Sequence, residues 1–257
     1  MSVIKKTVQY RTSQAVLDGA GAVTGFREVT KTVEFETGEL ARQANAAVRV
    51  TCGGSSVLCA VTARPQEQPD IPEEPMVPLM VDYRERTYAA GRIPGGFFKR
   101  EGRPREHEIH CSRYIDRSLR PLFPKEWCRD VQVQCIVLSF DADHDPGTLA
   151  LLGASAALTI SDIPFNGPVG YARLGRINGT YLVNPSFQER GLADMDLSVG
   201  FVDGRTLMIE MEASEVGEED VLRGIEHLRG VAQQFVAVQQ ELREACGKPK
   251  FLSLIHI

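Results

Sequence analysis

The sequence predicts one α+β domain with a trailing helix, and three observations carry that prediction. Short β-rich runs recur between Gly- and Pro-containing breaks, and of two internal helical stretches one repeats its apolar residues at helical steps while the other is rich in Ala, Leu and Gly. A third apolar pattern with the same period runs unbroken from Val216 towards the C-terminus.

In chain order, Thr7 to Tyr10 and Lys31 to Phe35 read as strands separated by a Gly- and Ala-rich connection around Asp18 to Gly25. Ala46 to Thr51 and Ser56 to Thr62 form a hairpin through the turn signal Cys52-Gly53-Gly54-Ser55. Arg64 to Pro78, with prolines at 65, 69, 72, 75 and 78 and acids between them, reads as an extended surface loop. A helix is expected from about Arg105 to Leu119, burying Cys111, Ile115 and Leu119 and ended by Pro121 and Pro124. Val131 to Phe140 reads as a near-continuous apolar strand covered on both faces, followed by a closely packed helix from Thr148 to Ile160. Asp162 to Pro168 breaks that helix, and Val169 to Arg173, Tyr181 to Val183, Met195 to Val202 and Leu207 to Glu212 are further strands. Val221, Ile225, Leu228, Ala232, Phe235, Val238 and Leu242 then mark a long amphipathic helix, ended by Gly247 and Pro249.

At 257 residues, 43% hydrophobic and 25% charged, the chain has ample material for a buried core. No run approaches the roughly 18 apolar residues of a membrane span, and no apolar segment follows Lys5 and Lys6 as a secretory signal requires. A cytoplasmic protein without a membrane partner is expected. The cysteines at 52, 59, 111, 128, 135 and 246 form no C-x-x-C pair, which argues against a disulfide framework. His107, His110 and Cys111 lie close together, but no second cluster completes a tetrahedral set, so no metal is expected there.

Charge is distributed unevenly. Arg84 to Arg129 holds twelve Lys or Arg against six Asp or Glu in a chain of formal net charge −5, a basic island that points to a polyanionic ligand. Inside it, Gly95-Gly96-Phe97-Phe98-Lys99-Arg100-Glu101-Gly102-Arg103 sets two rings beside cations on a glycine-flanked segment. Unpaired bases stack on such rings while the cations follow the phosphates; a Phe-Phe pair also suits a core position at the start of a strand. Glu106, His110, Arg113, Arg117 and Arg120 recur on one helix face, as either an arginine row for phosphate or an ordinary solvated face of charge pairs.

Four motifs carry a family resemblance: TGELARQA from Thr37, YRERTYAAGRIPGGFFKREGRP from Tyr83, IDRSLRPLFP from Ile115 and IPFNGP from Ile163. Together they resemble the first core domain of the polynucleotide phosphorylases, with a match from about residue 5 to 249. The resemblance implies an RNase PH-like α+β fold, a mixed sheet with flanking helices, and a domain division of 1–213, a helix and linker start at 214–250 and an atypical tail at 251–257. It further implies a ring-shaped homotrimer degrading single-stranded RNA from its 3′ end, with inorganic phosphate as co-substrate, nucleoside diphosphates as products and Mg²⁺ as cofactor. RNA-degradation complex components are a further class of partner. Phe97, Phe98, Lys99, Arg100 and Arg103 inherit the family's channel loop, with Lys99 where arginine is common; Arg92, Arg113, Arg117 and Arg120 are additional candidates for RNA or phosphate contact.

The same resemblance implies missing chemistry. The active domain of such enzymes, the second in the chain, carries D-x-x-x-x-x-D-x-K for metal holding and charge neutralisation, whereas the corresponding positions here are Arg190, Asp196 and Ser198. Asp194 lies beside the one acid retained. Asp145-Pro146-Gly147 stands where the phosphate-binding serine run belongs, with Thr148 the nearest hydroxyl, and a carboxylate there repels phosphate. The expectation is a domain without catalytic residues, Mg²⁺ being held in a second core domain outside this sequence. The tail FLSLIHI at 251–257 does not resemble the family's continuation into a helical linker. Two functions stay open at this stage: the RNA-threading part of a phosphorolytic exoribonuclease, or an inactive exosome-like subunit that holds RNA or builds a ring.

Overall fold

The computed structural model describes residues 3–64, 77–97, 99–125, 127 and 129–251. Phe98, Cys128, most of the proline-rich stretch and nearly all of the 251–257 tail lie outside the described residues.

The N-terminal part of the chain builds a six-stranded mixed sheet. It comprises β1 (Ile4–Leu17), β2 (Val23–Thr37), β3 (Ala46–Cys52), β4 (Ser55–Ala63), β5 (Leu79–Glu85) and β6 (Val131–Ser139), in the order β1-β2-β3-β4-β6-β5. Helix α1 (Glu106–Leu119) lies between β5 and β6 in sequence, and these two strands pair in parallel, making a crossover unit whose loop carries the basic segment. The second sheet, ordered β10-β9-β7-β8, contains β7 (Gly170–Ile177), β8 (Thr180–Val183), β9 (Met195–Val202) and β10 (Arg205–Ala213). Helix α2 (Pro146–Ile160) links the two sheets, a short α3 (Phe187–Arg190) precedes β9, and α4 (Glu218–Cys246) ends the fold.

Alternation explains how the first sheet packs. Val48, Val50 and Cys52, then Val57, Cys59 and Val61, then Val131, Val133, Cys135 and Val137 all turn to one buried face. Against that face lies α2, every residue of which is buried, as an apolar sequence with almost no polar stripe requires. Burying each of Leu149, Leu151, Leu152 and Leu158 stabilises the fold by about 1.5–3 kcal/mol. Gly153 allows the close approach, because a Cβ there would meet Cys59 Sγ at 2.7 Å. On its other side α2 meets β7 and α4, and α4 buries Leu228, Ala232, Phe235, Val238 and Leu242 in the same core.

The strand at Val131 to Phe140 differs from its sequence reading. Its second face carries Gln132, Ile136 and an exposed Gln134, so β6 is covered fully on one side only. The strand β5, which the sequence reading left out, is the sheet edge. Its outward backbone groups are covered by α1 side chains: Ser112 Oγ accepts from Tyr83 N at 3.1 Å and Glu108 Oε1 from Glu85 N at 2.9 Å. Arg120 completes this cover, donating to Val77 O at 2.8 Å and Leu79 O at 3.0 Å while pairing with Asp116.

Both turns that bound the next region are glycine-dependent or tightly held. The β3–β4 turn places Gly53 at φ 56, and a Cβ on it would meet the His144 ring at 2.4 Å. Asp141, just after β6, accepts from Gly54 N at 2.7 Å and Ser55 Oγ at 2.8 Å, locking that hairpin to the segment that leads into α2. The carboxyl end of the β5/β6 pair and the N-terminus of α2 therefore share one rim.

Candidate nucleic-acid interface and an arginine-closed carboxylate site

The basic loop leaves β5 through a 3₁₀ turn at Thr87–Ala90, capped by Gly91 at φ 66. That turn is tied to the end of β6 by Phe140 N donating to Ala89 O at 3.0 Å. Gly96 at φ 80 then turns the chain so that Phe97 stands 93% exposed, outside any strand. Lys99, Arg100, Arg103 and Arg92 are exposed around it, and Lys99 adopts φ 51, a left-handed conformation that a non-glycine residue rarely takes. Where the loop returns towards α1, a cavity of about 190 Å³ is lined by Arg84, Arg86, Arg100, Arg103 and Arg105 together with Glu85, Glu101 and Glu108. A cationic concavity beside an exposed ring suits a strand of phosphates with unpaired bases.

Arg113 and Arg117 are exposed on the outward face of α1, next to a second cavity of about 460 Å³ against β5. Arg120, at the foot of that row, is half-buried with its donors spent on Asp116 and the edge carbonyls. The structure thus separates Arg120 from the other arginines as a fold-holding residue, which helical periodicity alone could not reveal.

The positions Arg190, Asp196 and Ser198 come together with α1 and β10 around a cleft of about 320 Å³. Asp196 does not face this space with a free carboxylate. Arg173 on β7 clasps it in bidentate fashion, Nε to Oδ1 at 2.6 Å and Nη2 to Oδ2 at 2.7 Å, and Arg190 Nε adds a third bond at 3.1 Å. Arg173 also reaches Asp145 Oδ2 at 3.2 Å. Burial opposes the Arg173 charge, but its hydrogen bonds to Asp196 and the field of Asp145 outweigh it and hold its pKa above the ordinary range.

Asp145 is the N-cap of α2, accepting from Gly147 N at 3.1 Å and from Thr148 Oγ1 at 3.3 Å. One backbone donor of the helix start, Gly147 N, and the Thr148 hydroxyl are thereby engaged by the protein's own carboxylate, which places a negative charge where an anion would have to sit. Asp194 pairs with Arg176, whose guanidinium also holds Asp220 at the start of α4. Among the described residues no group of three or more His, Cys, Asp or Glu is placed to hold a metal ion. Mg²⁺ does not fit Asp196, because both carboxylate oxygens already face guanidinium cations.

His107 lines the same cleft, with Nε2 3.1 Å from Glu85 Oε1 and 3.6 Å from Cys111 Sγ. The hydrogen bond with Cys111, then that with Glu85, raises its pKa to about 10 against the opposing effect of burial. Since the folded value lies above the free value of 6.5, its contribution is complete below pH 6.5 and lost as pH rises through about 10. With the side chain 43% exposed, solvent screening limits this to about 1 kcal/mol. Wild type minus His107→Ala stability, measured by urea unfolding, is expected to shrink by that amount between these pH values; a constant difference would refute the pairing.

With this geometry in place, the class is defined by comparison as well as by shape. The chain belongs to the 3′ exoribonuclease family of RNase PH type: the model for domain 1 matches residues 30–164 and the model for domain 2 residues 167–227. The first match runs from the second half of β2 through α2, and the second covers the second sheet and the start of α4. Curated relatives named polyribonucleotide nucleotidyltransferase are 44% identical in Methylacidiphilum infernorum, 42% in Geobacter sulfurreducens and 45% in Sulfurihydrogenibium azorense. These alignments cover 86%, 86% and 84% of this chain and 31%, 31% and 30% of the relatives, so the chain spans about a third of their length. The crystal structure of rice (Oryza sativa) Rrp46 has the same fold, with a TM-score of 0.64 at 18% identity over 83% of this chain and 93% of that one.

Proposed function

We propose that this chain is the RNA-holding, non-catalytic RNase PH-like portion of a phosphorolytic 3′ to 5′ exoribonuclease that releases nucleoside diphosphates. The observation that carries the proposal is the exposed Phe97 with Lys99, Arg100, Arg103 and Arg92 around it, on a loop pinned to the carboxyl end of the β5/β6 pair. Phe98 is proposed to join this grip. Arg113 and Arg117 extend the cationic surface along α1. The absence of catalysis rests on Asp196 and Asp145: one is clasped by two arginines, the other fills the helix start where an attacking phosphate would need donors. Mg²⁺ and inorganic phosphate belong, on this reading, to polypeptide outside this chain, and the working enzyme is a cytoplasmic homotrimeric ring acting on single-stranded RNA, with RNA-degradation complex components as candidate partners. Among the described residues no helix is long and apolar enough to cross a membrane.

Purified chain offered poly(A), phosphate and Mg²⁺ is expected to bind the polymer in a salt-dependent manner and to release no nucleoside diphosphate. Diphosphate release by this chain would overturn the non-catalytic assignment. Failure to bind RNA at low salt would overturn the holding role.

A further inference from the structure

The RNA-contact loop is anchored at both ends, but by different means. At its start, Gly91 N donates to Tyr88 O at 2.9 Å and Arg92 N to Thr87 O at 3.0 Å, which are ordinary backbone turn contacts. At its return, Glu108 Oε2 accepts from Arg105 N at 2.7 Å at the helix start, and one carboxylate inside the loop reaches back to the 3₁₀ turn. Glu101 Oε1 accepts from Thr87 N at 2.7 Å and from Thr87 Oγ1 at 2.7 Å, while Oε2 accepts from Arg86 Nη1 at 2.6 Å. Three charge-assisted donors on one carboxylate lower its pKa to about 2, the Thr87 bonds contributing most. The same 3₁₀ turn that Glu101 grips is tied to β6, so the carboxylate joins the returning limb of the loop to the rigid sheet.

We infer that Glu101 is the positioning residue of the RNA grip, fixing the returning limb of the loop on Arg86 and Thr87 so that Phe97 and its neighbouring cations meet RNA already arranged. This rests on the RNA-holding reading of the loop and deepens it. Glu101 repels phosphate if it faces the strand directly, so its value lies in preorganisation: a loop fixed before binding has less conformational freedom to lose on binding. Within the cavity at the loop base it also offsets part of the repulsion among the arginines gathered there.

The test uses the 257-residue chain with a fluorescent oligoadenylate. Glu101→Ala is expected to weaken binding about tenfold, and Glu101→Gln, which keeps an oxygen for Thr87, to recover part of that loss. In a Phe97→Ala background, Glu101→Ala is expected to cost less than in the unaltered chain, because one of the groups it positions is gone. Trypsin cleavage at Lys99 and Arg100 is expected to rise in Glu101→Ala while the thermal midpoint stays close to wild type. Thr87→Ala, which removes one donor from the opposite side of the contact, is expected to move affinity and cleavage in the same directions. Wild-type affinity in Glu101→Ala, unchanged cleavage, or a full independent loss in the Phe97→Ala background would each overturn the inference. If the unaltered chain does not bind the oligoadenylate, the underlying reading fails first, and increased cleavage in Glu101→Ala would then establish the anchor without the RNA role.

Discussion

Replacing Arg173 by Met is expected to lower folding stability by about 3–5 kcal/mol, the range for removing one partner from a buried ion pair. The size follows from what is left behind. Asp145 is only 5% exposed and loses its closest cation, while Asp196 keeps Arg190 alone. Guanidinium chloride unfolding measures the loss, and pairing Arg173→Met with Asp196→Asn should restore part of it, since the second change removes one stranded charge. A cost below about 1 kcal/mol would mean that water reaches these carboxylates freely and that the site is not closed in solution.

Phe97→Ala is expected to weaken oligoadenylate binding about tenfold, within the range of about 1–3 kcal/mol for one base stacked on an aromatic ring. Folding should be unaffected, because a ring 93% exposed contributes little to a core. Changing Lys99 and Arg100 to Gln should act differently, flattening the dependence of affinity on salt concentration as phosphate contacts disappear. A Phe97→Ala chain that unfolds would expose a packing role for the ring. One that binds as wild type would remove the stacking role.

Much of the frame was readable from residue order because it follows local periodicity. The stripe of Leu228, Ala232, Phe235, Val238 and Leu242 recurs at helical steps, and α4 buries these side chains. The Gly53-Gly54 turn between two β-rich runs made a hairpin. The strand β5 escaped notice because Asp82, Arg84 and Glu85 break up its apolar residues and it lies beside a segment dominated by charge. Its neighbour β6 contained Gln132 and Gln134 in plain view, and their alternation, rather than the richness in valine, decides that one face is open.

The site was legible only where its residues are adjacent. Phe97, Lys99 and Arg100 stand together in the chain, so their joint character could be read directly. Arg173 meets acids 23 and 28 residues away, and Glu101 meets Thr87 across 14; no spacing rule couples such positions before the strands are placed. Arg120 shows the converse, a placement that adjacency and spacing do not reveal. Periodicity put it in line with Arg113 and Arg117, but the end of α1 carries it over the β5 edge, where carbonyls claim it.

The bidentate clasp of Arg173 on Asp196 gives this domain a property that sites built on dissolved ions lack. A guanidinium tethered to the backbone is a counter-charge that cannot be diluted, chelated or exchanged, and it keeps its proton at every physiological pH. Fluctuations in the concentration of divalent ions therefore leave this pair of side chains unmoved.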